Sequence, residues 1–282
     1  MKLSVSVVAY QQADTVQQAV ESALDQEVDF PFEVIAGDDA STDGTDEILT
    51  ELQRAAPDRL KVLLRDTNAE DFGLTNILAT IDAAQGEYIA FLDGDDYWTD
   101  RKKLQKQVEF LDAHPECVIC AHRVEHLSKD GVRILSPNAP SGEGTYDIGA
   151  LIILNFAPKI STVVRRSALA DLPEWYRKHS YPAGDWLLNV LAGRHGRVGF
   201  IDQIMAVHRI HSASVSATFG SHNMISAKLR AIAELRGSFP QATGDLARLE
   251  RKLLWKRRIA RYSPRTFSVL RRLNGMTRSH PG

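Results

Sequence analysis

The sequence predicts an α/β fold with a mostly parallel central sheet flanked by helices, followed by a basic helical extension. Short apolar runs alternate with segments of helical spacing through residues 1–126, the pattern of a parallel sheet with right-handed crossovers. Two of these runs end in clusters of aspartates. We therefore expect one domain over residues 1–220, with a ligand-binding half at 1–126 and a second half at 127–220, and an extension at 221–282.

Strands and helices are expected in strict alternation in the first half. The apolar runs predict strands at Leu3–Ala9, Phe32–Ala36, Leu60–Leu64, Tyr88–Leu92 and Cys117–Val124. Helical spacing of apolar residues predicts helices at Thr15–Leu24, from Ser41, Thr42 or Asp43 to Pro57, at Leu74–Ala84, and from Thr99 to Leu111.

The second half is less regular. Residues 128–145 are rich in Ser, Pro, Gly and Asn and are expected to form a loop. Strands are predicted at Ile160–Val164 and Met205–Ile210, and helices at Asp185–Leu191, 221–237 and 243–273.

The composition is that of a soluble globular protein, with 44% hydrophobic and 25% charged residues. No run reaches the roughly 18–20 apolar residues of a membrane span. The first residues resemble a strand rather than a signal peptide, so we expect a cytoplasmic protein. Cys117 and Cys120 could belong to a zinc site, but they lie in a strand-like run with no second pair and are predicted to be structural.

The most informative stretch is Phe91–Trp98, in which Asp93, Asp95 and Asp96 follow a predicted strand. Clustered carboxylates repel one another, which a bound cation relieves. Oxygen ligands of this kind suit Mg²⁺ or Mn²⁺, shared with the phosphates of a substrate. The alternative is an acidic turn that caps the helix from Thr99.

A second acidic cluster, Asp38 to Thr45, follows another predicted strand. Ligands of open α/β sheets bind beyond the carboxyl ends of the strands. A carboxylate at this edge can accept hydrogen bonds from a nucleobase or a ribose. Helix capping explains Ser41, Thr42 and Asp43 equally well, but not Asp39.

The order of these motifs resembles that of the large inverting family of nucleotide-sugar glycosyltransferases with the GT-A fold, family 2 in type. The resemblance covers about residues 3 to 216. The matching positions are Tyr10, Asp38-Asp39-Ala40-Ser41-Thr42-Asp43-Gly44-Thr45, Asn68, Gly73, Asn76, Gly86-Glu87-Tyr88-Ile89, Leu92-Asp93-Gly94-Asp95-Asp96, Ser161-Thr162-Val163-Val164-Arg165-Arg166, Gly184-Asp185-Trp186 and Arg209-Ile210-His211 with Ser214.

On the donor side, the resemblance implies that Tyr10 stacks on the nucleobase and that Asp39 hydrogen-bonds it. Asp93 would lie near the ribose, and Asp95 would bind a divalent Mn²⁺ or Mg²⁺ that bridges the diphosphate. Asp96 matches a further acidic position of the donor site.

On the acceptor side, the resemblance implies that Asp185 is the general base and that His211 approaches the metal or the diphosphate. Two positions depart from the family pattern. The usual Pro-x-Tyr-Asn of the first strand is Val8-Ala9-Tyr10-Gln11 here, and the usual Glu-Asp pair is Gly184-Asp185.

The predicted function is metal-dependent, inverting transfer of a sugar, most simply from a UDP-sugar, to a glycan or lipid-linked acceptor of cell-surface polysaccharide synthesis. A sugar nucleotidyltransferase is the alternative enzyme, although the loop from Tyr10 to Asp14 lacks the glycine and the basic residue of its phosphate loop. A non-catalytic nucleotide-sugar-binding protein is the other alternative.

The C-terminal extension is strongly basic. Residues 221–282 hold 14 Lys and Arg against 3 Asp and Glu, a balance of +11, so the first 220 residues carry −13. A basic amphipathic helix is typical of binding to an anionic membrane surface, here the inner face of the membrane. The alternative is a helix packed on the domain with a solvated basic face. No motif indicates nucleic acid.

Overall fold

The structure is a computed structural model that describes residues 1–178, 181–182, 184–210 and 215–262. The strands in this part of the chain are β1 (Leu3–Ala9), β2 (Phe32–Asp38), β3 (Leu60–Leu64), β4 (Tyr88–Asp93), β5 (Tyr97–Trp98), β6 (Cys117–Ser128), β7 (Arg133–Leu135), β8 (Gly144–Tyr146), β9 (Val163–Arg165) and β10 (Arg197–Ile210). The helices are α1 (Val16–Leu24), α2 (Thr45–Ala55), α3 (Leu74–Ala83), α4 (Lys103–Ala113), α5 (Ile148–Leu154), α6 (Glu174–Lys178), α7 (Gly184–Ala192), α8 (Val215–Ser238) and α9 (Thr243–Tyr262).

The strands form one mixed sheet in the order β3-β2-β1-β4-β9-β6-β10-β5, with β7 beside β6 and β8 beside β10. The first four strands of this order are parallel, as predicted. The short strand β9 then runs antiparallel to both β4 and β6, and β10 runs parallel to β6. The parallel strands of the first half thus match the prediction, whereas the short strand β5, also in the first half, was not predicted and runs antiparallel to β10.

The register of the parallel half brings three strand ends to one edge. Ala9 at the end of β1 pairs with Asp38 of β2, and Val8 pairs with Asp93 of β4. Because parallel strands share their direction, the residues that follow β1, β2 and β4 emerge on the same side of the sheet. This edge positions the predicted site.

Each face of the sheet is covered by helices, and each holds its own apolar core. One core includes residues from α3, α5, α7, α8 and α9, and the other residues from α1, α2 and α4. Leu246, Leu249 and Leu253 of α9 are buried in the first core, so the described part of the basic extension packs on the domain. Helix α8 spans the expected boundary between residues 220 and 221.

Several sequence-based predictions of local structure are wrong. The expected loop at 128–145 contains β7 and the first two residues of β8, and α5 and α6 were not predicted. The expected strand at Ile160–Val164 is a 3-10 turn, Lys159–Ser161, followed by β9. The helix expected from Thr99 begins at Lys103. The predicted helix at 243–273 is present as α9, and its residues after 262 lie outside the described part.

None of the described helices combines the length and the apolarity that crossing a membrane requires.

Candidate active site

The residues predicted to bind a nucleotide sugar meet at the edge formed by β1, β2 and β4. Tyr10 directly follows β1, Asp39 follows β2, and Asp93 is the last residue of β4. Tyr10 is 47% exposed at the rim, whereas Asp39 is only 4% exposed. An accessible aromatic ring therefore lies close in the fold to a buried carboxylate, an arrangement that can receive a flat polar ring.

The Asp39 carboxylate is held by the segment after β3. Arg65 Nε lies 2.9 Å from Oδ1, Asn68 Nδ2 donates to Oδ2 at 3.1 Å, and the Ala69 N–H donates to Oδ1 at 3.3 Å. Burial raises the pKa of Asp39 even though the Ala69 N–H and Arg65 act in the opposite direction. The sequence motifs did not assign Arg65 to this site.

The loops after β1 and β2 are bonded to each other. Backbone N–H groups of the first loop donate to side chains of the second, from Gln11 to Ser41 Oγ (2.9 Å), from Gln12 to Thr45 Oγ1 (2.8 Å) and from Ala13 to Asp43 Oδ2 (3.0 Å). The expectation that Ser41, Thr42 or Asp43 is the N-cap of α2 is wrong, because the N-cap is Gly44 in a left-handed conformation.

Gln11 stands where the family pattern has asparagine, and its φ of 54° is left-handed. Asparagine adopts this region more readily than most residues, which explains the family preference. Here the bonds from the Gln11 backbone to Ser41 and from its side-chain amide to Thr42 Oγ1 (3.0 Å) hold the turn. The departure from the family pattern leaves the turn itself intact.

The three aspartates after β4 have different environments. Asp96 is 1% exposed and accepts the Arg209 backbone N–H at 2.8 Å. Burial, together with Asp95 and Asp93, raises its pKa well above the usual range. Its contact with the sugar donor remains a prediction. Its hydrogen bond from Arg209 joins the acidic loop, residues 93–96, to β10.

Asp95 is half-buried and lines an open cleft of about 500 Å³, together with Gln11, Arg209 and residues at the end of β6. This volume lies within the usual range of small-ligand sites. The guanidinium of Arg209 donates to the Asp95 carbonyl at 2.6 Å and lies 4.6 Å from the Tyr97 ring centroid. The basic residues that line the cleft are thus Arg209, held by these contacts, and Lys129, and the carboxylates that line it are Asp14, Asp43 and Asp95.

Asp93 forms an ion pair with Lys159, which lies in the 3-10 turn before β9. Burial, opposed by Lys159, raises the pKa of Asp93 to about 6, and Asp95 and Asp185 act in the same direction as burial. Sequence reasoning missed Lys159, although a lysine within the largely apolar run from Phe156 to Val164 is an unusual feature.

Asp185 lies in the first turn of α7 and is exposed. It is close enough to Asp93 and Lys159 for its charge to affect the pKa of both. Its neighbour Trp186 is buried, with the Lys228 ammonium 4.9 Å from the ring centroid, so the start of α7 is anchored in the core while Asp185 faces solvent.

The carboxylates of the site fit a divalent cation that a bound substrate also coordinates. Among the described residues, no group of three or more His, Cys, Asp or Glu side chains could hold a metal alone. Mg²⁺ sites of phosphate-transfer enzymes typically use one or two carboxylates plus substrate phosphates, and Asp95 in the cleft meets that requirement. The predicted ligand His211 lies outside the described residues. Cys117 and Cys120 are buried and free.

Comparison with known proteins gives consistent matches. The sequence model of glycosyl transferase family 2 matches residues 4–172. An uncharacterized protein of Mycobacterium tuberculosis is 35% identical over 215 residues, which are 76% of this chain and 60% of that protein. The chain thus spans about 60% of the length of the mycobacterial relatives. The UDP-Glc:alpha-D-GlcNAc-diphosphoundecaprenol beta-1,3-glucosyltransferase WfaP of Escherichia coli is 34% identical over 76% of this chain and 80% of its own.

Solved structures show the same fold. TarS of S. aureus in complex with UDP-GlcNAc superposes with a TM-score of 0.71 at 21% identity, covering 95% of this chain and 76% of that one. The mannosyltransferase PcManGT of Pyrobaculum calidifontis, with GDP-Man and Mn²⁺, gives 0.60 at 16% identity, covering 97% and 84%. These likenesses confirm the predicted GT-A fold.

Proposed function

The chain belongs to glycosyl transferase family 2, and we propose that it transfers a sugar from a UDP-sugar to a hydroxyl of a glycan or lipid-linked acceptor, with inversion and with Mn²⁺ or Mg²⁺. One observation carries the proposal. The predicted donor residue Asp95 lines the open cleft, and both Asp95 and the predicted base Asp185 lie near enough to Asp93, at the end of β4, for their charges to act on it.

Donor binding is assigned to the strand ends. Tyr10, exposed at the rim, would stack on the nucleobase, and the buried carboxylate of Asp39 would accept a hydrogen bond from it. Asp93 would bind the ribose. Asp95, with His211, would hold the cation on the diphosphate. When bound, the cation stabilises the negative charge that develops on the leaving diphosphate.

Transfer itself is assigned to Asp185. The acceptor oxygen attacks the anomeric carbon while the bond from that carbon to the diphosphate breaks, and the diphosphate leaves with the electron pair. Asp185 accepts the proton of the acceptor hydroxyl, which requires an accessible carboxylate. A single displacement with one base inverts the anomeric configuration.

The choice of donor and acceptor rests on the relatives. The Escherichia coli relative is named for UDP-Glc and a diphosphoundecaprenol acceptor, and TarS was solved in complex with UDP-GlcNAc. These ligands support a UDP-sugar, a lipid-linked or glycan acceptor, and a role in cell-surface polysaccharide synthesis.

Thermal unfolding with UDP, GDP, CMP and dTDP, each with and without Mn²⁺, tests the donor assignment. A ligand that binds only the native state stabilises it, by about 2.7 kcal/mol at 100 times its Kd. We expect the melting temperature to rise by several degrees with UDP, and only when Mn²⁺ is present. If another nucleotide raised the melting temperature more than UDP, the donor would carry that nucleobase instead. If no nucleotide raised it, the proposed donor site would be refuted.

The exposed face of α9 supports peripheral binding at the inner face of a membrane. While Leu246, Leu249 and Leu253 are buried, the outer face exposes Trp255 (57%) and Leu254 (41%). The basic residues exposed on this helix include Arg251, Lys252, Arg257 and Arg258. An exposed tryptophan gains nothing from contact with water. At an anionic lipid surface, by contrast, tryptophan packs at the headgroup level and arginine pairs with the lipid charges.

Co-sedimentation with vesicles tests this surface. We expect the protein to sediment with vesicles that contain anionic lipid and to be released by about 0.5 M NaCl, because salt at that concentration shortens the Debye length to a few ångströms. The double variant Arg257→Glu, Arg258→Glu should bind several-fold more weakly. Equal binding of the variant, or no binding to anionic vesicles by the unaltered protein, would leave α9 as a packed helix with a solvated face.

A further inference from the structure

The side chain of Lys159 contacts a residue assigned to the donor and lies near enough to the predicted base for the two charges to interact. Its ammonium pairs with Asp93 at the end of β4, and the charges of Asp185 and Asp95 also act on it. Its side chain is only 11% exposed. A buried ammonium requires compensating charge, and here that compensation comes from the donor-side and the base-side carboxylates.

The segment around Lys159 is fixed from several directions by buried hydrogen bonds. Asn189 of α7, the helix that carries Asp185, donates to the carbonyl of Ala157 at 2.9 Å. On the other side, Trp98 Nε1 donates to the carbonyl of Ile160 at 3.0 Å, and Gln107 Nε2 donates to that of Ser161 at 2.8 Å. The segment is thus tied to α7, which carries Asp185, and to β5 and α4, which follow the aspartates of Asp93–Asp96.

The same turn is joined to the strand that delivers Asp93. The backbone N–H of Phe91 in β4 donates to the carbonyl of Thr162 at 3.3 Å. Within the turn, Ser161 Oγ donates to the Pro158 carbonyl at 2.7 Å, and Thr162 Oγ1 donates to the Lys159 carbonyl at 2.8 Å. The backbone of Lys159 therefore has a defined position relative to both Asp93 and Asp185.

We propose that Lys159 is a positioning residue of the transfer reaction, which holds the Asp93 carboxylate in place for the donor and balances the acidic cluster until the cation and the diphosphate arrive. This inference rests on the proposed function. The negative charges of Asp93 and Asp185 repel each other, and the Lys159 ammonium, which pairs with Asp93 and interacts with Asp185, offsets that repulsion.

The proposal predicts effects of opposite sign on two ligands. The Lys159 ammonium repels a divalent cation near Asp95 and orients Asp93 for the nucleotide. In Lys159→Met we therefore expect Mn²⁺ alone to bind about threefold or more tightly, because a positive charge has been removed. UDP in the presence of saturating Mn²⁺ should bind about tenfold more weakly, since Asp93 is no longer held in place.

The measurements are Mn²⁺ titration followed by electron paramagnetic resonance and UDP titration followed by calorimetry. Lys159→Arg should restore both affinities in part, and Lys61→Met, the same change at an exposed position of β3, should alter neither. Should Lys159→Met fail to fold, Lys159→Gln replaces it. Unchanged affinities for both ligands, or a parallel loss of both, would overturn the proposal, because a purely structural lysine would give one of these results.

The two proposals can fail separately. The binding measurements need neither acceptor nor turnover, so a protein that binds Mn²⁺ but transfers no sugar would refute the proposed function and still decide the role of Lys159. In an active protein, the KM for the donor should rise more in Lys159→Met than in Lys159→Arg.

Discussion

Replacing Asp185 by asparagine should abolish most sugar transfer and leave donor binding nearly unchanged. A positioned general base contributes roughly 10²- to 10⁴-fold to a rate, so we expect kcat to fall within that range. Asp185 is exposed in the first turn of α7, whereas the residues assigned to the nucleotide follow β1, β2 and β4. An amide has nearly the same shape but cannot accept the proton of the acceptor hydroxyl.

The measurement pairs steady-state kinetics with calorimetric titration of UDP in the presence of Mn²⁺. Asp82→Asn is the matched control, since Asp82 is an exposed aspartate whose charged partner, Arg177, is 3.7 Å away. The control should keep both activity and affinity. If Asp185→Asn lost donor affinity in proportion to its loss of rate, Asp185 would belong to the donor site and the base would have to be sought elsewhere.

The parallel half of the fold could be predicted because its signals are local. Leu3–Ala9 and Leu60–Leu64 are strands with the predicted bounds, since each is a largely apolar run that pairs in parallel with at least one neighbouring strand. That Asp39 and Asp93 lie at the same edge of the sheet followed from topology alone, because strands of one parallel sheet end at the same edge.

The second half resisted prediction because its structure depends on bonds between residues distant in sequence or on competing local bonds. The run from Ile160 has strand composition, but the hydroxyls of Ser161 and Thr162 bond back to carbonyls three residues earlier and stabilise a 3-10 turn. In the first half, the start of α4 was likewise misplaced: Thr99 lies before the helix, and its N–H donates to the carbonyl of Met205 in the distant strand β10.

The same distinction applies to the site. Carboxylates at strand ends can be located from sequence, but their partners cannot. Lys159 is 66 positions from Asp93 in the chain, and the pair forms only when β9 is inserted beside β4. The contact of the Arg209 backbone with Asp96 likewise depends on β10.

Replacing Asp95 by alanine should remove the Mn²⁺ dependence of nucleotide binding. We expect the affinity for UDP at saturating Mn²⁺ to fall about 100-fold, a typical loss when a metal site is disturbed, toward the affinity measured without metal. Asp95 is the half-buried aspartate of the acidic loop that lines the cleft, while its backbone carbonyl, which remains in the variant, keeps the bond from Arg209. The variant should therefore fold normally.

Calorimetric titrations of UDP with and without Mn²⁺ provide the measurement, with Asp58→Ala, an exposed aspartate just before β3, as the control. Persistence of the full Mn²⁺ effect in Asp95→Ala would exclude Asp95 as the metal ligand and direct attention to Asp93. The Asp95→Ala and Asp185→Asn variants distinguish donor binding from sugar transfer.

Loss of Asp95 should abolish the metal-dependent binding of the donor, whereas loss of the Asp185 carboxylate should leave the donor bound and untransferred. A protein that used these aspartates only to hold its fold would show neither pattern, because both variants would lower its melting temperature and change the two measurements together.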